Sequence, residues 1–449
     1  MAEDATIHDH PSKQLSISDA IAIIVGIVIG AGIFRTPSLV AANTGDDTMF
    51  LVAWILGGVV SLIGALCYAE LSTTFPNTGG DYHFLSLAYG KRAAFLFAWA
   101  RMSIIQTGSI AILAFIFGDY ISQVYSLGTY SSVIYAALVV VVLTGLNIAG
   151  IRISTLTQKV FTITEVSGAL LVVVVGLFVA PAQPDGAAVP SAGPGTDNTL
   201  GLALVFVLLT FGGWNEAAYI SAELKSGQRG MVKVLVGSIA IITVVYLLVN
   251  IAFSRALGHA AMARSEAVGV DLMQLVWGST GVWLIGILVA ISALTSVNAT
   301  IFTGARTNYA LGRDFRFIRV LGKWNNQTSG PVNAFLVQGI ISLVLISLGL
   351  FTRQGFQTIV EYTAPVFWFF FLLVGIALFV LRRKESTLHR PFRVPLYPLT
   401  PIIFCLSSAY LLYSSVMYTG VGALAGIAVL IIGIFVLLIF QEKPNKHII

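Results

Sequence analysis

The stretch Gly26-Ile-Val-Ile-Gly-Ala-Gly-Ile-Phe34 places three glycines within seven residues of an apolar run. Each costs a helix about 1 kcal/mol relative to alanine, so the composition suits a helix meant to break. Broken backbone at membrane depth is tolerated only where protein buries it or where it lines a cavity. There the freed groups are ligands. The N–H groups of Ala31 and Gly32, at the positive end of the following half-helix, suit a carboxylate. Freed carbonyls such as that of Val28 suit an ammonium. The backbone of Val28, Ile29, Gly30, Ala31 and Gly32 is therefore a candidate site for a zwitterion. Gly26-x-x-x-Gly30 also reads as a helix-packing motif, and this stretch alone leaves both readings open.

A second interruption, Thr210-Phe-Gly-Gly-Trp-Asn-Glu-Ala-Ala218, lies in a later apolar run. Its side chains could extend the candidate site, with Trp214 and Asn215 as its floor and Phe211 as a lid. Packing around a helix break is the alternative for these side chains. Glu165 sits midway along another apolar run, beside Thr162, Ile163, Val166 and Ser167. A charge near the bilayer centre costs about 2.5–3.5 kcal/mol, so this carboxyl must be protonated or paired with a cation. Glu70 reads as one half of a structural ion pair. Arg101 reads as snorkelling or paired, Gln106 as a possible substrate contact, and the direction of Glu216 stays open. With no carboxylate clearly facing the site, a zwitterion with an uncharged side chain is preferred. His83 and His259 belong to no catalytic constellation. Cys67 and Cys405 lie in apolar runs without metal-ligand company. No enzyme and no cofactor is expected.

The elements that must position these residues are membrane spans. Hydrophobic residues make up 57% of the chain and charged residues 10%, against globular averages of about 45–50% and about 25%. Twelve apolar runs are long enough to cross a bilayer, near 18–43, 50–74, 93–121, 131–149, 155–180, 199–222, 232–254, 276–305, 332–351, 357–381, 397–418 and 420–440. Basic residues gather in alternate loops: Lys91 and Arg92, then Lys225, Arg229 and Lys233, then Arg313 to Lys323, then Arg382 to Arg393. The positive-inside rule puts those loops and both termini in the cytoplasm of a multi-pass cell-membrane protein. The same asymmetry accounts for the net charge of +5 without a nucleic-acid partner. The interrupted runs are the first and the sixth. Interruptions at corresponding places in two halves point to a transporter site, and an odd number of spans per half inverts the second copy. Residues 18–180 and 199–381 are thus expected to be inverted repeats of five spans each. Residues 397–440 are two added spans, 1–17 and 441–449 cytoplasmic tails, and Pro181 to Asn198 an outer loop.

The chain resembles the amino acid–polyamine–organocation superfamily. The resemblance rests on Ile29-Gly-Ala-Gly-Ile-Phe34, on Tyr68-Ala-Glu-Leu71 leading into Phe75-Pro-Asn-Thr-Gly-Gly-Asp-Tyr82, and on Gly212-Gly-Trp-Asn215 leading to Glu223-Leu-Lys225. Arg306, Arg313 and Arg390-Pro-Phe-Arg-Val-Pro-Leu-Tyr-Pro398 complete it. The branch it looks most like is that of the L-type amino acid transporters and their bacterial relatives. The resemblance implies an all-α membrane protein of the leucine-transporter type, a 5+5 inverted repeat with broken helices 1 and 6, working by alternating access to a central amino-acid site. It also implies roles there for Val28, Ala31 and Gly32 and for the carbonyls near Phe211 and Gly212. With the site reading above, it makes a neutral amino acid the expected substrate. Ser226-Gly227 stands where relatives have Asn-Pro. The stretch 120–132 lacks the outer-loop cysteine that joins animal relatives to a partner, so no disulfide-linked subunit is expected.

The resemblance also implies a coupling ion. Glu165 falls where L-type relatives carry a lysine. Ser292-Ala-Leu-Thr-Ser296 looks like the segment that holds a sodium ion in sodium-coupled members of the wider fold. Carried over, the sodium ligands are Thr295, Ser296 and the carbonyls of Ser292, Gly26 and Ile29, with Glu165 alongside. Oxygen-only ligation suits a hard cation. Proton coupling through Glu165, or amino-acid exchange, is the alternative. Finally, the implied fold brings Arg35 near Glu361, and a salt bridge between them would form an outer gate; Arg35 snorkelling to water and Glu361 capping its helix is the alternative.

Overall fold

The computed structural model describes residues 16–77, 79–149, 155–181, 200–225, 227–325, 328, 330–351 and 355–440. Most of the expected tails (1–15 and 441–449), most of the outer loop (182–198) and Ser226 lie outside the described residues. Helices account for the architecture, and a single bridge between Asn325 and Gly330 is the one extended pairing among the described residues.

The first span is the bent pair α1 (Ile17–Val28) and α2 (Gly32–Ala42), which meet at 48°. Ser16 starts α1 with a capping box: its hydroxyl accepts from the Asp19 N–H and the Asp19 carboxylate accepts from the Ser16 N–H, which satisfies two of the helix's orphan donors. The second span is α3 (Asp47–Thr74), capped by Asp46. A short helix, α4 (Asp81–Tyr89), then leads to the third span, where α5 (Lys91–Ala100) runs through a π-helical turn (Arg101–Ile105) into α6 (Gln106–Val124). The fourth span is α7 (Ser131–Ile148). The fifth is α8 (Thr155–Val174), ending in a second π turn (Val175–Val179). In the sixth, α9 (Leu200–Thr210) stops before Gly212-Gly213 and the chain resumes as a 3-10 helix (Trp214–Glu223). Gly213 has φ +108°, a conformation that glycine adopts without steric cost.

The seventh span is α10 (Gly227–Leu257), followed by the short α11 (His259–Arg264). The eighth, α12 (Val268–Asp314), is longer than its apolar run because it continues past both ends, with a kink at Gly278 where φ is +58°. The last four are α13 (Val332–Ser347), α14 (Gly355–Lys384), α15 (Leu399–Thr419) and α16 (Val421–Ile439). Among the described residues, eleven helical stretches are long and apolar enough to cross a membrane, and α1 with α2, taken as one bent span, makes a twelfth. The expected span count is thus matched, and the first break falls at the expected glycines. The amphipathic α4 and α11 were not foreseen, being too short and mixed to register as apolar runs.

On the face that carries the basic loops, α3 is tied to the chain beyond α14. Glu70 is 1% exposed. It accepts from Arg382 Nε at 2.7 Å, lies 3.4 Å from Arg390 Nε and accepts from the Val394 N–H at 2.7 Å. Arg382 also stacks on Tyr397, its guanidinium carbon 3.6 Å from the ring centre. The basic segment after the tenth span is therefore folded around one buried carboxylate, which is the structural ion pair read for Glu70.

Candidate functional site

At the first break, Ile29 N–H donates back to the Val25 carbonyl and Gly30 N–H to that of Val28. The N–H groups of Ala31, Gly32 and Ile33 make no backbone hydrogen bond among the described residues. These are the orphan donors of the first turn of α2, and they sit where an anion is favoured. The acceptor side differs from the expectation. The Val28 carbonyl takes the Gly30 N–H and also lies 2.6 Å from Tyr246 Oη, so both its lone pairs are used. The carbonyls left without a backbone donor at the end of α1 are those of Gly26 and Ile27, and Ile27 lines the adjoining cavity.

Tyr246, midway along α10, was not singled out in the sequence, where it is one aromatic in an apolar run. Its hydroxyl also lies 3.1 Å from the Thr210 carbonyl, so one phenol bridges the two broken spans. Thr210 Oγ1 donates to Thr36 Oγ1 at 2.8 Å and ties the same spans again.

Beside the breaks lies a cavity of about 220 Å³. Of the candidate site residues, Val28, Gly30, Gly32, Gly212 and Asn215 line it, while Ile29 and Ala31 are buried and are not part of its lining. The two aromatics stand elsewhere. Phe211 packs on Tyr246 and Trp54, with ring centres 5.0 and 6.3 Å apart. Trp214 packs edge-on against Tyr68 and Phe371. Neither ring is part of the cavity wall, so the lid and floor expected of them are here packing around the second break. The apolar wall comes instead from Ile105, Phe356, Phe367 and Phe371.

Gln106 reaches the cavity and donates to the Thr300 carbonyl at 3.0 Å and to Thr303 Oγ1 at 3.2 Å. Glu216 also faces the cavity, where its carboxylate accepts from Arg101 Nη2 at 2.9 Å. The π turn is what sets Arg101 there; single π turns often occur at functional positions.

A second polar group lies behind the first break, where α1 packs on α8 and α12. Gly26 abuts the Thr162 hydroxyl so closely that a methyl group would not fit without movement. Glu165, three residues on, shares that face of α8. It is 2% exposed, and neither of its carboxylate oxygens has a hydrogen-bond partner among the described residues. The hydroxyls of Ser292 and Ser296 are likewise unpartnered, and Ser296 Oγ lies against Gly30. Thr295 Oγ1, by contrast, donates to the Ile291 carbonyl of its own helix at 2.9 Å.

Arg35 does not pair with Glu361 in this arrangement. Its Nη1 donates to the Glu266 carbonyl at 2.5 Å, its Nε lies 3.8 Å from Asp119, and its guanidinium carbon is 5.9 Å from the centre of the Phe356 ring. Glu361 accepts from Gln357 one turn earlier on α14.

Broken spans whose unpaired backbone borders a polar-and-apolar cavity define a membrane protein that binds a small solute within the bilayer. Residues 15–439 match the amino acid permease family, and the chain belongs to that family, within the amino acid–polyamine–organocation superfamily. It is 30% identical over 412 residues to the b(0,+)-type amino acid transporter 1 of Mus musculus, covering 90% of this chain and 83% of that one. It is 29% identical over 446 residues to the large neutral amino acids transporter small subunit 2 of the same organism, covering 96% and 82%. The protein is an amino acid transporter and not an enzyme.

Proposed function

We propose that this chain carries neutral amino acids across the cell membrane by alternating access, with its basic loops and both termini in the cytoplasm. The observation that carries the reading is that Gly32, one of three successive N–H groups (Ala31, Gly32, Ile33) without a backbone acceptor, lines the same cavity as Ile27, whose carbonyl has no backbone donor. An α-carboxylate and an α-ammonium fill those two roles. The Glu216 carboxylate in the same cavity is neutralised by Arg101, so a cationic side chain would have to displace a guanidinium. A neutral side chain meets no such competitor. A relative's name, with its large neutral amino acids, agrees. The two broken spans five apart support a 5+5 inverted repeat as the frame that rocks.

We further propose that Glu165 binds a proton during the cycle. A buried carboxylate with no cation beside it, and only the Ser292 hydroxyl close by, holds its proton. Glu165 touches the joint between α1, α8 and α12, where a change of charge biases one packing over another. A sodium ion is the second reading. It is favoured by the unpartnered Ser292 and Ser296 hydroxyls and the free Gly26 carbonyl, with Ile29 adding a further carbonyl; Thr295 Oγ1 donates its proton to the Ile291 carbonyl and keeps its lone pairs for a cation. In proteoliposomes, uptake should follow an imposed pH gradient without sodium, and Glu165→Gln should remove that dependence while exchange persists. Sodium-dependent substrate affinity at fixed pH would replace the proton with sodium.

One relative is named a small subunit. The two cysteines of this chain, Cys67 and Cys405, sit in α3 and α15 and are unpaired. We infer that no subunit is joined by a disulfide. The protein should run as a single chain without reductant, and a larger band that reductant collapses would overturn this.

A further inference from the structure

A buried acid–base–acid group lies at the end of the cavity nearest the basic loops. Asp81 opens α4, Arg101 occupies the π turn between α5 and α6, and Glu216 sits in the 3-10 segment of the sixth span. All three line the cavity. Arg101 and Glu216 are 2.9 Å apart, which joins the third span to the sixth. Asp81 is 3% exposed, and its Oδ1 has no hydrogen-bond partner among the described residues. One guanidinium thus shares the cavity with two carboxylates, is paired with Glu216 and acts electrostatically on Asp81.

We propose that Asp81, Arg101 and Glu216 form the inner gate of the cavity, and that Asp81 is its proton-binding site: protonated it leaves the gate shut, and ionised it opens the gate to the cytoplasm. The inference rests on the transport reading and its orientation. With Asp81 neutral, Arg101 belongs to Glu216 and the third and sixth spans stay clasped. With Asp81 ionised, it competes for the same guanidinium and repels Glu216, and hydration on opening relieves both costs.

Burial pushes Asp81 up from the ordinary carboxylate range to about 7, against the pull of Arg101 and of the side chains of Tyr68 and Asn215, while Glu216 pushes it further up. When the gate opens, water returns the group towards its ordinary range. The open state therefore binds the proton more weakly than the closed one. Opening becomes more favourable as pH rises from that range to about 7, and the effect levels off above it.

The surrounding charged groups are otherwise engaged. Tyr82 Oη donates to Asp314 of α12 at 2.7 Å, and Lys384 of α14 donates to the Ala88 carbonyl at 2.8 Å. Glu70 of α3 is held by Arg382 and Arg390. Lys91 and Arg92 begin α5 at the far end of α4. Burial pushes the His83 imidazole down, making it the weaker proton holder over the same range.

The test is a bimane fluorophore on Phe97→Cys, one turn from Arg101 on the cavity wall, in full-length protein lacking Cys67 and Cys405. Collisional quenching by iodide reports water access and does not depend on thiol chemistry. The quenching constant should rise several-fold between pH 5.5 and pH 7.5 and level off above. Asp81→Asn should abolish the rise and leave access at its low-pH level, whereas Glu165→Gln should keep it. Glu216→Gln removes the charge that pushes Asp81 up, so the midpoint of the rise should move to lower pH. A pH response that survives in Asp81→Asn, a Glu216→Gln midpoint that stays put, or a flat parent would each overturn the proposal. Quenching needs no turnover, so a flat result beside intact amino-acid uptake would sink the gate alone.

Discussion

Glu70→Ala should lower the stability of the folded protein by about 3–5 kcal/mol, the range for breaking one side of a buried ion pair. Glu70 accepts from the Arg382 and Val394 N–H groups and lies beside the Arg390 guanidinium, all at one buried carboxylate. Removing it takes the one carboxylate from the Arg382 and Arg390 guanidinium groups and the acceptor from the Val394 N–H, and an unsatisfied buried donor or charge is costly. It also removes the buried carboxylate that the segment from Arg390 to Val394 contacts. Thermal unfolding of the purified protein, followed by the monomer peak in gel filtration, should show a markedly lower midpoint. Glu70→Gln should fall between, since the amide still accepts hydrogen bonds but carries no charge. If Arg382→Ala and Glu70→Ala were each neutral, the cluster would be an incidental surface pairing.

The membrane class, the span count and the first break were legible because each leaves a strong local mark. Apolar runs, alternating basic loops and a glycine triplet need no tertiary knowledge. The side-chain roles were less legible, for reasons of direction. Phe211 and Trp214 stand beside free backbone in the sequence, yet the rotation of α9 and the turn at Gly213 aim both rings into packing with Trp54, Tyr246, Tyr68 and Phe371. The Val28 carbonyl was a sound candidate until Tyr246, more than two hundred residues away, took its second lone pair. Arg101 and Glu216 could be read singly but not as partners, because the π turn that brings them together has no sequence signature. Asp81 lay within a recognised motif without a role of its own, and only its burial beside Arg101 gives it one.

Gly32→Val should weaken amino-acid binding by about 10- to 100-fold, the effect of losing a charge-assisted hydrogen bond of about 1.5–3 kcal/mol. Gly32 is the first residue of α2, it lines the cavity, and its N–H is one of the three left unpaired. A Cβ at this position would lie 3.6 Å from Thr210 Cγ2, an ordinary contact, so the backbone can accept a side chain without a clash. The branched methyls of valine would instead stand over the N–H groups of Ala31, Gly32 and Ile33. The variant should therefore unfold at nearly the parent temperature when no substrate is present. The difference should appear on adding substrate. At about 100 times its dissociation constant a ligand stabilises the parent by about 2.7 kcal/mol, and a 100-fold loss of affinity would remove most of that shift. Gly45, in an open turn with nothing within 4 Å of an added Cβ, supplies the control, and Gly45→Val should keep the full shift. A panel of neutral amino acids measured by ligand-induced thermal shift decides the matter. Undiminished stabilisation of Gly32→Val would move the carboxylate away from the start of α2.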